Sequence, residues 1–150
     1  MIFYIDTSVW GGYFDKEFED DTKPFIGQLL EGKFTAIVSN ITINEITPAP
    51  ENVRGLIASV PAEFLKIVTL TSEQEVLANH YIREGALTPK YESDAFHIAI
   101  ATTLRVDSLV SWNFRHMVNF FRIKQYNSIN LKFGYPVIDI RTPKEVTYEK

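Results

Sequence analysis

Short apolar runs alternate along this chain with segments whose apolar residues recur every three or four positions. That alternation constrains the fold more than any other feature, because strand and helix patterns taken in turn build βαβ units and a parallel sheet covered on both faces. The first run, Ile2-Phe3-Tyr4-Ile5, is apolar without a break, as suits a strand buried on both sides. Thr22 is placed to cap a helix through Phe25, Ile26, Leu29 and Leu30, closed by Gly32. A second strand is expected over Phe34 to Ser39, followed by a short helix capped by Asn40 and carrying Glu45, with Pro48 and Pro50 behind it. Asn52 to Ser59 reads as helix and Leu65 to Leu70 as a third strand. Ser72 and Glu75 have the spacing of a capping box before Leu77, Ala78, Tyr81 and Ile82, and Gly85 ends that helix. Ser93 to Leu104 is apolar nearly all round, the mark of a buried helix. Ser108 to Ser111 is expected as the fourth strand, Met117 to Tyr126 as a helix, and Pro136 to Ile140 as a fifth strand at an edge. No repeat or linker divides the chain, so residues 1–150 are read as one domain, with 141–150 a loose, polar tail.

Composition removes several classes of function. The 150 residues include no cysteine, which excludes thiolate metal sites, disulfides and thiol catalysis. Apolar runs are far shorter than the ~20 residues a membrane helix needs, and no signal-peptide pattern opens the chain, so a cytoplasmic protein with no membrane partner is expected. A net charge of −4 argues against a general nucleic-acid coat, yet the charge is unevenly spread. Asp15 to Asp21 holds five acids and one lysine, best read as solvated surface. From Ser108 to Ile138 there is no acid, while Arg115, Arg122, Lys124 and Lys132 share the stretch with Trp112, Phe114, Phe120, Phe121 and Tyr126. Such aromatics could stack on unpaired bases or pack in the core.

Three carboxylates and an amide stand just past apolar runs or at a helix start: Asp6, Glu45, Asp94 and Asn113. In an open parallel sheet the carboxyl ends of the strands share one edge, where ligands bind at the switch in strand order. Acids gathered there repel one another unless a cation sits among them, and hard oxygen donors suit Mg2+ or Mn2+. Each residue taken alone has a plainer reading. Asp6-Thr7-Ser8 can be a turn and helix cap, Glu45 a surface residue, and Asn113 with His116 an Asx turn. Asp94 opens a wholly apolar helix, where the helix dipole favours its charge whether it caps or faces a site. His97, one turn further on the same face, is either a hydrogen-bonded core residue or a group standing behind the acids. His80, His97 and His116 lack the spacing of a zinc pair, no Gly-x-Ser-x-Gly elbow occurs, and Gly11-Gly12 is not a phosphate loop.

Taken in order, four pieces carry a likeness: Tyr4-Ile5-Asp6-Thr7-Ser8; Val38-Ser39 through Asn44-Glu45-Ile46; Ser93-Asp94-Ala95 through His97-Ile98-Ala99; and Leu109-Val110-Ser111-Trp112-Asn113. The sequence resembles PIN-domain nucleases, specifically the toxin-like, VapC-type members of bacterial toxin–antitoxin pairs. The resemblance implies a Rossmann-like three-layer α/β/α fold with a parallel five-stranded sheet ordered 3-2-1-4-5. It implies an RNA-cleaving site dependent on Mg2+ or Mn2+, with Asp6, Glu45 and Asp94 as catalytic metal ligands and Asn113 in the family's fourth acidic position. Thr7, Ser8, His97, Ser111 and His116 are expected to support those ligands, and Arg115, Arg122 and Lys124 to bind the RNA. An antitoxin and a homodimeric state are further implications. Asn113 departs from the aspartate that many members carry; an amide brings no charge, so one firmly bound ion is expected. Two other readings stay open: a PIN-like module that binds RNA or protein without cleaving, and a phosphatase with Asp6 as nucleophile, weakened by Ser8 where such enzymes carry a second aspartate.

Overall fold

The structure, a computed structural model, describes residues 1–149. Its strands are β1 (Ile2–Ile5), β2 (Thr35–Ser39), β3 (Leu65–Val68), β4 (Ser108–Val110) and β5 (Ile140–Arg141). Between them lie α1 (Thr7–Gly12), α2 (Glu19–Leu30), α3 (Asn40–Ile46), α4 (Glu51–Ser59), α5 (Ser72–Arg83), α6 (Glu92–Thr103) and α7 (Phe120–Lys132), and α8 (Pro143–Val146) follows β5. The sheet is five-stranded in the order β3-β2-β1-β4-β5, and every pairing is parallel. The switch in strand order therefore falls at β1, between β2 and β4.

Alternation along β1 divides the core. Tyr4 faces Leu77, Tyr81, Ile98 and Tyr126 on the side of α5, α6 and α7. Phe3 and Ile5 face Val9, Trp10, Phe25, Ile26 and Ile57 on the side of α1, α2 and α4. Each such large side chain taken fully out of water contributes roughly 1.5–3 kcal/mol before ordering costs. Helix α6 is apolar all round because it is enclosed: Ala95, Ile98, Ala99, Ile100 and Ala101 are buried. Gly32 and Gly85 end α2 and α5 at φ 75° and 84°, the left-handed region that a Cβ disfavours.

Several boundaries differ from expectation, each for a local reason. Helix α2 starts at Glu19, and Thr22 lies inside it, its hydroxyl donating back to the Phe18 carbonyl at 2.7 Å instead of capping. Ser39, not Asn40, caps α3 by accepting from the Ile41 N–H at 3.2 Å; the Asn40 amide oxygen accepts from the Leu70 N–H instead. The capping box before α5 is Thr71 with Gln74, one residue earlier than Ser72 with Glu75. The fifth strand is Ile140–Arg141 alone, and α7 runs over Phe120–Lys132, capped by Asn119. The expected loose tail is partly ordered: Thr142 and Glu145 form a capping box for α8, and the Gln28 side-chain amide holds both the N–H and the carbonyl of Tyr148.

Candidate active site

Asp6 leaves β1 at its carboxyl end and caps α1, so the plain cap reading holds for it. Its Oδ1 accepts from the Ser8 N–H at 3.1 Å and the Ser8 hydroxyl at 2.6 Å, and its Oδ2 accepts from the Ser111 hydroxyl at 2.6 Å. Those two hydroxyls accept in turn from the N–H groups of Trp112 and Asn113, both at 2.9 Å, which stitches the end of β1 to the end of β4. Gly12 lets α1 lie against the β4 end, since a Cβ there would meet the Trp112 ring at 2.9 Å.

Glu45 projects from α3. Its Oε1 accepts from the Thr7 hydroxyl at 2.9 Å and from His97 Nε2 at 2.5 Å. Behind it, His97 Nδ1 meets the Tyr4 hydroxyl at 2.6 Å, and that hydroxyl meets Ser39 Oγ at 2.8 Å. Tyr4 and Ser39 are site-adjacent residues that the apolar pattern of a strand conceals. The usable signal is that a Tyr buried on both sides of a sheet must find a hydrogen-bond partner for its hydroxyl.

Electrostatics bind the acids into one group. Burial pushes the Asp94 carboxyl up to about 6, with His97 opposing and the charges of Asp6 and Glu45 adding to the rise. Burial also raises Asp6, opposed by His97, Ser111 and Ser8 and reinforced by Glu45. Burial acts upward on Glu45 too, but His97 and Thr7 outweigh it and hold that carboxyl below its usual range. Three acids from β1, α3 and α6 thus feel one another, which is the crowding that a cation relieves.

Other expected residues fall differently. The Asn113 amide oxygen accepts from the N–H groups of Arg115 at 3.1 Å and His116 at 3.0 Å, so the Asx-turn alternative describes it, and the expectation of a fourth metal ligand gains nothing from its geometry. His116 is buried with both ring nitrogens lacking a hydrogen-bond partner, packed on the Tyr91 ring at 4.0 Å. Burial, Arg115 and Arg122 hold its imidazole below the usual range. The Arg115 guanidinium is exposed and lies 5.5 Å over Tyr91. Arg122 donates to the Ala86 carbonyl at 2.6 Å, and Lys124 lies 5.4 Å over the Phe120 ring. Of the aromatics, Trp112 and Tyr126 are core, while Phe114, Phe120 and Phe121 are exposed. Among the described residues no three acidic or imidazole side chains are already drawn round one ion-sized point.

No family model and no curated protein matches the sequence. Solved structures do match. A chain of the VapBC2 structure from Rickettsia felis, bound to a DNA fragment from its promoter, superposes with a TM-score of 0.61 at 14% identity, over 95% of this chain and 98% of that one. The fold is that of a PIN domain. Mycobacterium tuberculosis VapC20, a sarcin-ricin loop cleaving toxin, gives a TM-score of 0.57 at 15% identity over 75% of this chain and 91% of that one. At such identity the likeness is one of fold, and within the PIN fold Asp6, Glu45 and Asp94 come to the edge where strand order switches.

Proposed function

We propose that this protein is a PIN-domain endoribonuclease dependent on Mg2+ or Mn2+, acting as the toxin of a cytoplasmic toxin–antitoxin pair. The observation that carries the reading is the group of three mutually repelling carboxylates at the switch point, with Asp94 raised to about 6. The donor set fits a hard divalent ion: three acids, no thiol, and a single neighbouring imidazole that already serves Glu45. The three acids are not gathered round one point without the ion, and with Asp6 and Glu45 already held the closing movement would fall to Asp94. Such an ion supplies charge neutralisation at the scissile phosphate and a more acidic water.

The chain's own residues do the rest. Ser8 and Ser111 fix both oxygens of Asp6. Thr7 and His97 hold one oxygen of Glu45. Asp94, whose carboxyl lies at about 6 without metal, is ionised at neutral pH and would take the proton of the attacking water. The water oxygen would bond to phosphorus as an ester P–O bond breaks, the leaving oxygen departing with the bonding pair and taking a proton from solvent. Arg115, exposed beside the Asn113 turn, would meet the RNA backbone. VapC20 is a sarcin-ricin loop cleaving toxin and VapBC2 is bound to a DNA fragment from its promoter, and the shared fold supports proposing an RNA substrate and an antitoxin partner here; a homodimer belongs to the same reading.

A second reading, a PIN-like module that binds without cleaving, draws on the Asn113 turn and on the ungathered acids. The nucleophilic-aspartate reading is disfavoured because residue 8 is Ser, which donates to Asp6, where such enzymes carry a second aspartate. Purified protein incubated with a mixed RNA pool and either Mg2+ or Mn2+ separates these readings. Cleavage lost in Asp6→Asn supports the nuclease; RNA retained intact by the wild type supports the binder.

A further inference from the structure

We propose that Ser39, Tyr4 and His97 form a directed hydrogen-bond relay that positions Glu45 for metal binding, which makes His97 and Tyr4 positioning residues of the site. The inference rests on the metal-dependent reading above. It goes beyond that reading by assigning a role to a buried tyrosine of the central strand.

The acceptor at the rim fixes the direction. A Glu45 carboxylate only accepts, so His97 Nε2 donates to its Oε1 at 2.5 Å. In the neutral ring Nδ1 then accepts from the Tyr4 hydroxyl at 2.6 Å. With that proton used, the Tyr4 oxygen accepts from the Ser39 hydroxyl at 2.8 Å, and Ser39 Oγ itself accepts from the Ile41 N–H at 3.2 Å. If the ring carries both protons, Nε2–H faces Glu45 all the same, and the Tyr4 hydroxyl holds the ring from behind in either case.

Burial separates this arrangement from a merely satisfied core histidine. Tyr4, Ser39 and His97 are 0%, 0% and 1% exposed, whereas the Glu45 side chain is 33% exposed. A chain of enclosed polar groups thus ends on an acid at the rim. A free Glu side chain loses rotamer entropy when fixed. Two donors on Oε1, Thr7 and His97, fix it in advance and leave Oε2 as the oxygen available to a cation. The relay also joins β1, the β2–α3 junction and α6, so it ties the elements carrying all three acids. Partners that hold a metal ligand from behind typically alter metal affinity by ~10–100-fold when removed.

The test is calorimetric titration of Mn2+ into the full chain for the wild type, Tyr4→Phe, His97→Gln and His97→Ala, with kcat and KM for RNA measured alongside. Tyr4→Phe removes one atom and is expected to weaken Mn2+ about 10-fold, with kcat falling and KM for RNA unchanged. His97→Ala is expected to weaken Mn2+ further, and His97→Gln, which keeps a donor toward Glu45, to recover part of the loss. If His97→Ala does not fold, Tyr4→Phe and His97→Gln decide the matter. A wild type that binds Mn2+ no better than its Tyr4→Phe and His97→Gln variants overturns the relay and leaves the nuclease reading standing. A wild type that binds no Mn2+ overturns the metal-dependent reading first, and the relay with it.

Discussion

Both edges of this sheet carry acids, yet they are built in opposite ways. At the amino edge, Asp107 accepts from the Ile2 N–H at 2.7 Å, and Asp139 pairs with the Arg141 guanidinium at 3.0 Å while also accepting from Ser108. Each acid there has its own donor or cation close by in sequence or across one strand. At the carboxyl edge, Asp6, Glu45 and Asp94 come from three elements and share one imidazole among them. A groove of about 790 Å3 lies at the amino edge, lined by Phe3, Phe34, Asp107 and Tyr148, so the more enclosed space is not where the acids crowd. The difference teaches that an acid beyond a strand says little by itself. Acids from separate elements with too few cations between them are the informative arrangement.

The largest expected effect breaks the comparison outright. Asp6→Asn, Glu45→Gln and Asp94→Asn should each lower RNA cleavage by about 100-fold or more, given that transition-state electrostatic contacts are worth ~10²–10³ in kcat. Asp107→Asn and Asp139→Asn should leave cleavage at the wild-type rate. Steady-state assays on folded protein measure both sets, and equal losses at the two edges would contradict the contrast.

Next in size is pH. The Asp94 carboxyl lies at about 6 in the folded chain without metal, against an ordinary value of 3.8. The folded state holds that proton more tightly, so the group's contribution is full below the ordinary value and is lost as pH rises toward about 6. The loss is roughly 3 kcal/mol. Glu45 runs the other way, its contribution disappearing as acid protonates a carboxylate that His97 and Thr7 hold ionised. Melting curves should therefore show the Asp94 part of metal-free stability falling as pH rises from the ordinary carboxylate value toward about 6 and levelling off above it. Asp94→Asn should flatten that fall, and Mn2+ should offset it by mass action. Asp139→Asn at the exposed Arg141 pair should change stability by less than ~1 kcal/mol at any pH.

Smaller effects concern the basic stretch. Arg115→Ala should weaken RNA binding several-fold and reduce the slope of log affinity against log salt by about 1. Arg122, tied to the Ala86 carbonyl, should show its loss mainly as lower stability, and Lys124→Ala should change RNA binding least. Asn113→Ala acts on stability alone: loss of the turn cap should cost about 1 kcal/mol in thermal unfolding.

Much of this was legible in the chain. Ile2 to Ile5 and Ser108 to Ser111 read as buried parallel strands because neither face meets water, and the strand order followed from the resemblance. Strand β5 was misjudged because Ile140 and Arg141 are held by pairing with β4, a long-range contact that no local pattern announces. Thr22 looked like a cap because its type suits one, but the fold buries it, where Trp112 Nε1 donates to its hydroxyl at 2.8 Å. The Thr142 to Glu145 capping box is present in the letters, beneath the polar character of the tail. At the site, Asp6, Glu45 and Asp94 were visible from position. The Ser39–Tyr4–His97 chain was not, since it depends on a side-chain contact between residues 93 apart in sequence.

The central claim is that the three crowded carboxylates form one site for a divalent ion. A crystal structure of the protein grown with Mn2+, read through the anomalous signal of the metal, tests it most directly. A single peak bounded by the carboxylates of Asp6, Glu45 and Asp94, absent in Asp94→Asn, is the expected result. No peak at saturating Mn2+, or one held elsewhere while these three side chains stay apart, would contradict it.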